Sequence, residues 1–167
     1  MANGASGVAI KTIEDETKFQ AALREISTLL AQSIAIDGEG ATKLVEIRVK
    51  GAPDLATARR AARGVTVSPL VKTAMHGEDP NWGRIIARLG AEQVPEVALS
   101  RLTLTMQGVL LFGEGRPQPF EKSEVKLLLK KSKILVEIDL RSGGDEATAW
   151  GCDLSKKYVD INTEYTT

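Results

Sequence analysis

A change of hydrophobic period within the first fifty residues constrains this chain most. Between residues 14 and 34, Phe19, Ala22, Leu23, Ile26, Leu29, Leu30 and Ile34 recur at three- and four-residue steps, the spacing of an amphipathic helix. Glu14, Asp15 and Glu16 crowd its first turn, where the helix dipole favours anions. The pattern stops at Asp37-Gly38-Glu39-Gly40, and from Lys43 to Lys50 the period drops to two, Val45, Ile47 and Val49 alternating with Glu46, Arg48 and Lys50. That is a half-buried strand. A one-sided helix followed at once by a one-sided strand has to bury both faces against further layers.

The rest of the chain supplies those layers. Gly51 ends the strand, Pro53 suits a first helical turn, and residues 55–65 read as a second, Ala/Arg-rich helix. Residues 68–84 read as irregular, with a short helix over 81–90 closed by Gly90. Residues 101–112 alternate as strands, and 113–119 is a turn cluster. A short helix is predicted over 123–130 and a strand over 133–140, with Ile134, Val136 and Ile138 on one side. Residues 141–146 form a Gly-Gly turn and 147–152 a last strand. The polar tail, 154–167, has Tyr158, Ile161 and Tyr165 as anchors. This order predicts an α+β fold of mixed α/β layers. Three segments are expected: 1–50 contributing a helix and strand to the core, 51–145 forming a second lobe, and 146–167 a terminal strand and tail.

Composition narrows the function. The 167 residues carry 22 basic and 22 acidic side chains, a net charge of zero, which argues against nucleic acid as the partner. Seven aromatics leave little for base stacking. The one cysteine, Cys152, excludes an internal disulfide and a cysteine-based zinc site and fits a reducing, cytoplasmic setting. No apolar run approaches the length of a membrane span. The opening Met1-Ala2-Asn3-Gly4-Ala5-Ser6-Gly7 is neither a signal nor a transit peptide. It reads as a loop from a longer chain.

Candidate chemistry lies in a few places. Lys72 to Arg84 joins cations, glycines and Trp82 around Asp79-Pro80. Asp79 is expected to cap a helix with Pro80 at its first position, and Lys72 and Arg84 either orient an anion or pair with Glu78 and Asp79. A capped, ion-paired helix start with a buried indole explains the same residues. His76, the single histidine, suits a general base, but no serine, cysteine or metal set accompanies it and a loop residue is the plainer reading. Glu39, between two glycines after a helix, can present a carboxylate to an ammonium group, or be an exposed turn residue. Cys152 reads as a small buried apolar residue. No phosphate loop, nucleophile elbow or metal-ligand motif occurs, so no metal and no cofactor is expected, and the residues alone hold no complete catalytic set.

Four segments together resemble one family. Ser68-Pro69-Leu70-Val71-Lys72-Thr73-Ala74 followed by Gly77-Glu78-Asp79-Pro80-Asn81-Trp82-Gly83-Arg84, then Asp37 to Lys43, Ala147 to Leu154, and Tyr158 to Thr167, are similar to segments of the ornithine acetyltransferases. These are the glutamate N-acetyltransferases of arginine biosynthesis, and the likeness runs from residue 1 to residue 167.

The resemblance implies a layered fold of the N-terminal-nucleophile kind, completed by a partner chain. It implies self-cleavage before a threonine that becomes the nucleophile, acetyl transfer from N2-acetylornithine to glutamate, and acetyl-CoA as a donor in bifunctional members. The cleavage site and the oxyanion-hole residues of the family are absent here, so this chain is expected to be the C-terminal part of the processed β chain, with no catalytic residue of its own and Met1 as an internal methionine. By the resemblance, Glu39, Asn162 and Thr167 are the substrate-binding residues. Its partners are expected to be the N-terminal α chain and the upstream part of the β chain, in a heterotetramer of two α and two β chains. The Asp79 to Arg84 marker is expected to cap and shape rather than catalyse. A noncatalytic assembly module and a related N-terminal-nucleophile aminopeptidase are the alternatives.

Overall fold

The structure, a computed structural model, describes residues 4–164. Helix α1 (Ile13–Ile36) begins at a capping box: Asp15 N donates to Thr12 Oγ1 and Thr12 N to Asp15 Oδ2, each at 3.1 Å. The chain then enters β1 (Leu44–Ala52). Four helices follow: α2 (Leu55–Val67), α3 (Pro69–His76), α4 (Trp82–Ala91) and α5 (Glu96–Arg101). Strands β2 (Thr103–Met106), β3 (Val109–Gly113) and β4 (Arg116–Pro117) lead to α6 (Lys122–Leu128). The described part ends with β5 (Lys133–Asp139), β6 (Asp145–Cys152) and α7 (Lys156–Glu164).

The six strands of the described residues form one sheet in the order β4-β3-β2-β5-β1-β6, to which residues from 1–50, 51–145 and 146–167 all contribute. Strand β1 runs parallel to β5 and antiparallel to β6. Its register sets Val45, Ile47 and Val49 beside Ile134, Val136 and Ile138, the two apolar rows that the alternation predicts. All six are buried. Helix α2 covers this layer with Ala58, Ala61, Ala62 and Val65, joined by Val71 and Met75 of α3 and Ile85 and Leu89 of α4. Small side chains bring helix and sheet close: a Cβ on Gly151 of β6 would stand 2.5 Å from Thr66 Cγ2. The fold is α+β, as expected.

The alternate row of β1 faces the other way. There the buried Glu46 accepts from Arg48 Nη2 at 2.9 Å, Lys133 Nζ at 3.1 Å and Trp150 Nε1 at 3.2 Å. Burial raises this carboxyl's pKa, and Lys133, Trp150 and Arg48 together bring it below the usual carboxylate range.

Several local expectations are corrected. Residues 68–84 are not irregular: α3 starts at Ser68, whose Oγ faces Val71 N, with Pro69 at the first position. Asn81, not Asp79, caps α4, its Oδ1 accepting from Arg84 N at 3.1 Å, while Asp79 accepts from Asn81 Nδ2 at 3.0 Å. Gly90 lies inside α4 rather than closing it, and Glu92 is the C-cap. Arg84 does not pair with Glu78 or Asp79: its Nη1 reaches Leu70 O at 2.8 Å and Thr73 Oγ1 at 3.2 Å, joining α4 to α3. Trp82 is only partly buried, its ring tilted 34° against Phe112 with centroids 5.2 Å apart. Cys152 is partly exposed, and the tail carries a helix, α7.

Helix α1 differs from the rest. It lies against the edge strand β6 and buries none of its residues. Phe19, Leu23, Ile26 and Leu30, one above another on a single face, are each more than half exposed.

Candidate functional site

The loop between α1 and β1 and the junction between β6 and α7 meet at the edge of the sheet. Strand β1 pairs with β6 so that Leu44 stands opposite Cys152; the residues before one and after the other are therefore neighbours. Asp153, next along from Cys152, uses this closeness. Its carboxylate is buried and accepts from Thr42 N at 2.7 Å, Thr42 Oγ1 at 2.6 Å and Lys43 N at 2.9 Å. His76 Nδ1, at the end of α3, stands 2.7 Å from Oδ2. Burial raises the Asp153 pKa, and the bonds from Thr42, His76 and Lys43 more than offset it, holding the carboxyl below the usual range. An ionised carboxylate only accepts, so Nδ1 carries the ring hydrogen toward it.

Two residues further on, Ser155 Oγ donates to Gly40 O at 2.6 Å and accepts from Tyr158 N at 3.4 Å in the first turn of α7. That hydroxyl caps α7 and holds the Glu39 loop at once. On the same helix, Asn162 Nδ2 donates to Glu39 Oε2 and to Tyr158 O, both at 2.8 Å. The structure therefore brings together Glu39 and Asn162. Thr167 lies outside the described residues, as does Tyr165.

A cleft of about 440 Å³ opens on another side of the same loop, lined by Ile36, Ala41, Thr42, Leu44 and Lys133 among others, with Glu39 and Asn162 outside its wall. Lys43 is buried, its Nζ donating to Met75 O at 2.9 Å and standing 3.9 Å from Glu78. Among the described residues no group of histidine, cysteine and carboxylate side chains is placed to hold a metal, and no helix is long and apolar enough to cross a membrane.

Reading the residues in isolation missed Asp153, Ser155 and Thr42. Ser155 had a signal, a serine one residue before a helix, hidden because the tail's own helix was not recognised. Asp153 had none, because its partners lie from 77 to 111 residues away in sequence.

Fold and site together define a class: an α+β domain whose first loop and last helix present a carboxylate and an amide side by side, a pair suited to a small polar ligand. Comparison with known proteins gives the particular family. The ArgJ family model matches residues 1–167, and the chain belongs to that family. It is 44% identical to the glutamate N-acetyltransferase of Methanopyrus kandleri, covering 100% of this chain and 44% of that protein. It is 41% identical to the arginine biosynthesis bifunctional protein ArgJ of Bacillus cereus, covering 100% of this chain and 41% of that one. The crystal structure of ArgJ from Bacillus halodurans superimposes with a TM-score of 0.92 at 36% identity, over 99% of this chain and 78% of that one. The chain thus spans less than half the length of these curated relatives.

Proposed function

We propose that this chain is the substrate-binding C-terminal part of an acyltransferase that moves an acetyl group from N2-acetylornithine to glutamate. The observation that carries the reading is the Glu39–Asn162 pair, built by two segments far apart in sequence and held at 2.8 Å. A carboxylate on a loop suits the side-chain ammonium of ornithine. An amide beside it supplies both a donor and an acceptor. Thr167 is proposed as a third ligand at the end of the same tail.

The nucleophile comes from the upstream portion that the relatives carry. A threonine Oγ attacks the acetyl carbonyl, and its proton passes to the threonine's own amino group. The tetrahedral oxyanion collapses, the C–N bond breaks, and ornithine leaves with the proton. The amine of glutamate then attacks the acetyl-threonine ester and restores the hydroxyl. Acetyl-CoA serves as a second donor if the enzyme is bifunctional. The exposed apolar face of α1 supports a partner surface, and the proposed assembly is the upstream portion with this chain, two copies of each, in the cytoplasm.

The test uses this chain assembled with the upstream portion. Glu39→Ala raises KM for N2-acetylornithine if Glu39 binds the donor; unchanged kinetics remove Glu39 from the site.

A further inference from the structure

We infer that the Asp153-Leu154-Ser155 junction is the positioning element of this site, and that Ser155 sets Glu39 against Asn162. The inference rests on the reading of Glu39 and Asn162 as ligands.

Ser155 Oγ makes its two bonds to opposite halves of the site. One goes to the carbonyl of Gly40, the residue next to Glu39; the other comes from Tyr158 N, in the helix that carries Asn162. The fit allows no spacer. Gly40 has φ +66°, and a Cβ there would stand 2.8 Å from Tyr158 N and 3.0 Å from Ser155 Oγ. Asp153 grips the same loop on its other side, through Thr42 and Lys43. The loop is thereby fixed at residue 40 and at residues 42–43 by a stretch of three residues. Ser155 and Asp153 are both buried, whereas Glu39 and Asn162 are exposed. Buried groups hold; exposed groups are left to bind.

The energetic consequence is pre-organisation. A loop carboxylate that is already fixed pays no ordering cost when an ammonium binds. That gain is the same in the ground state and the transition state, because the ammonium is remote from the acetyl carbonyl. Losing it raises KM and leaves kcat nearly unchanged.

The experiment measures KM and kcat for N2-acetylornithine in the assembled enzyme with Ser155→Ala, Ser155→Thr, Glu39→Ala and the double variant Glu39→Ala/Ser155→Ala. Ser155→Ala is expected to raise KM by about three- to tenfold, the size of one hydrogen bond's net worth, with kcat within about twofold. Ser155→Thr keeps the hydroxyl and is expected to restore most of the affinity. The double variant is expected to lose clearly less than the two single losses combined, since Ser155 acts in large part through Glu39. Additive losses, or a Ser155→Ala enzyme with unchanged KM, overturn the inference. Thr42→Val, which removes one hydroxyl from Asp153, carries the same test if Ser155→Ala does not assemble. A Glu39→Ala enzyme with unchanged KM sinks the ligand reading itself; a clear Glu39 effect without a Ser155 effect sinks only the positioning role.

Discussion

Asn162 Nδ2 stands 2.8 Å from Glu39 Oε2 although the two residues are 123 positions apart in the chain. Neither is buried, so the bond does little for stability. Its value lies in aiming the carboxylate. The two partners then differ in what they offer a cationic ligand. Glu39→Gln keeps the shape and removes the charge; Asn162→Ala removes the aim and the neutral amide's own contact, and leaves the charge. We expect Glu39→Gln to raise KM for N2-acetylornithine by about tenfold or more and Asn162→Ala by about threefold, following the greater strength of charge-assisted bonds. Steady-state kinetics on the assembled enzyme check the order, and the reverse order would make Asn162 the principal ligand.

Asp153 is the opposite case, a carboxylate inside the fold. Asp153→Ala strands the buried Lys43 N without an acceptor, at about 1–3 kcal/mol, and the part-buried Thr42 N at less. The expected fall in melting temperature is about 5–15 °C. The pH dependence follows from its depressed pKa. The folded state holds this proton less tightly than the unfolded chain does. Its stabilisation is therefore complete well above the unfolded value of about 3.9 and is lost as pH falls through the lower, folded value. Thermal melts from pH 6 down to about pH 3 should show a steeper loss for the native chain than for Asp153→Asn.

His76 tests a different distinction. Its Nδ1 is committed to Asp153, an arrangement that orients an imidazole for base catalysis and equally anchors a buried carboxylate. General-base catalysis is worth about a hundredfold or more, an anchoring bond about threefold to tenfold at most. His76→Gln retains a donor for Asp153 and abolishes the base. We expect kcat within about threefold of native. A loss of a hundredfold or more, with a changed pH–rate profile, would assign His76 to the chemistry.

The sheet was legible in the sequence because its rows are periodic. Val45, Ile47 and Val49 alternate with charged residues, and the register places them against an equally periodic row, Ile134, Val136 and Ile138. Helix α3 was obscured because it is eight residues long and lies in a stretch dense with special residues; its Ser68-Pro69 start was the readable cue. The cap of α4 was misplaced by two residues because Asp79-Pro80 and Asn81 both offer capping chemistry, and only the bond from Arg84 N separates them. In the site, the choice of Glu39, Asn162 and Thr167 came from family likeness. The Asp153 and Ser155 contacts depend on the pairing of β1 with β6, which no local pattern encodes.

The periodicity of α1 was readable, but its burial was not. An apolar face on a helix predicts a neighbour, and among the described residues none covers Phe19, Leu23, Ile26 and Leu30, each more than half exposed. These side chains add little to the stability of the described fold, because more than half of each is still exposed and an unfolded chain's partly collapsed state already covers much of the rest. Ile26→Glu is therefore expected to change the melting temperature of this chain by less than about 2 °C, within the ordinary range for exposed substitutions. If α1 is the proposed contact with the upstream portion, the same change would bury a carboxylate in an apolar contact, at a cost of several kcal/mol. Co-expression with that portion, followed by size-exclusion chromatography, separates the two effects. The native chain is expected to elute in a complex and Ile26→Glu alone and folded. A complex that survives the substitution would mean that α1 faces solvent in the assembly and that the upstream portion binds elsewhere, with the open face of the sheet around Arg48 and Glu137 as the next surface to test.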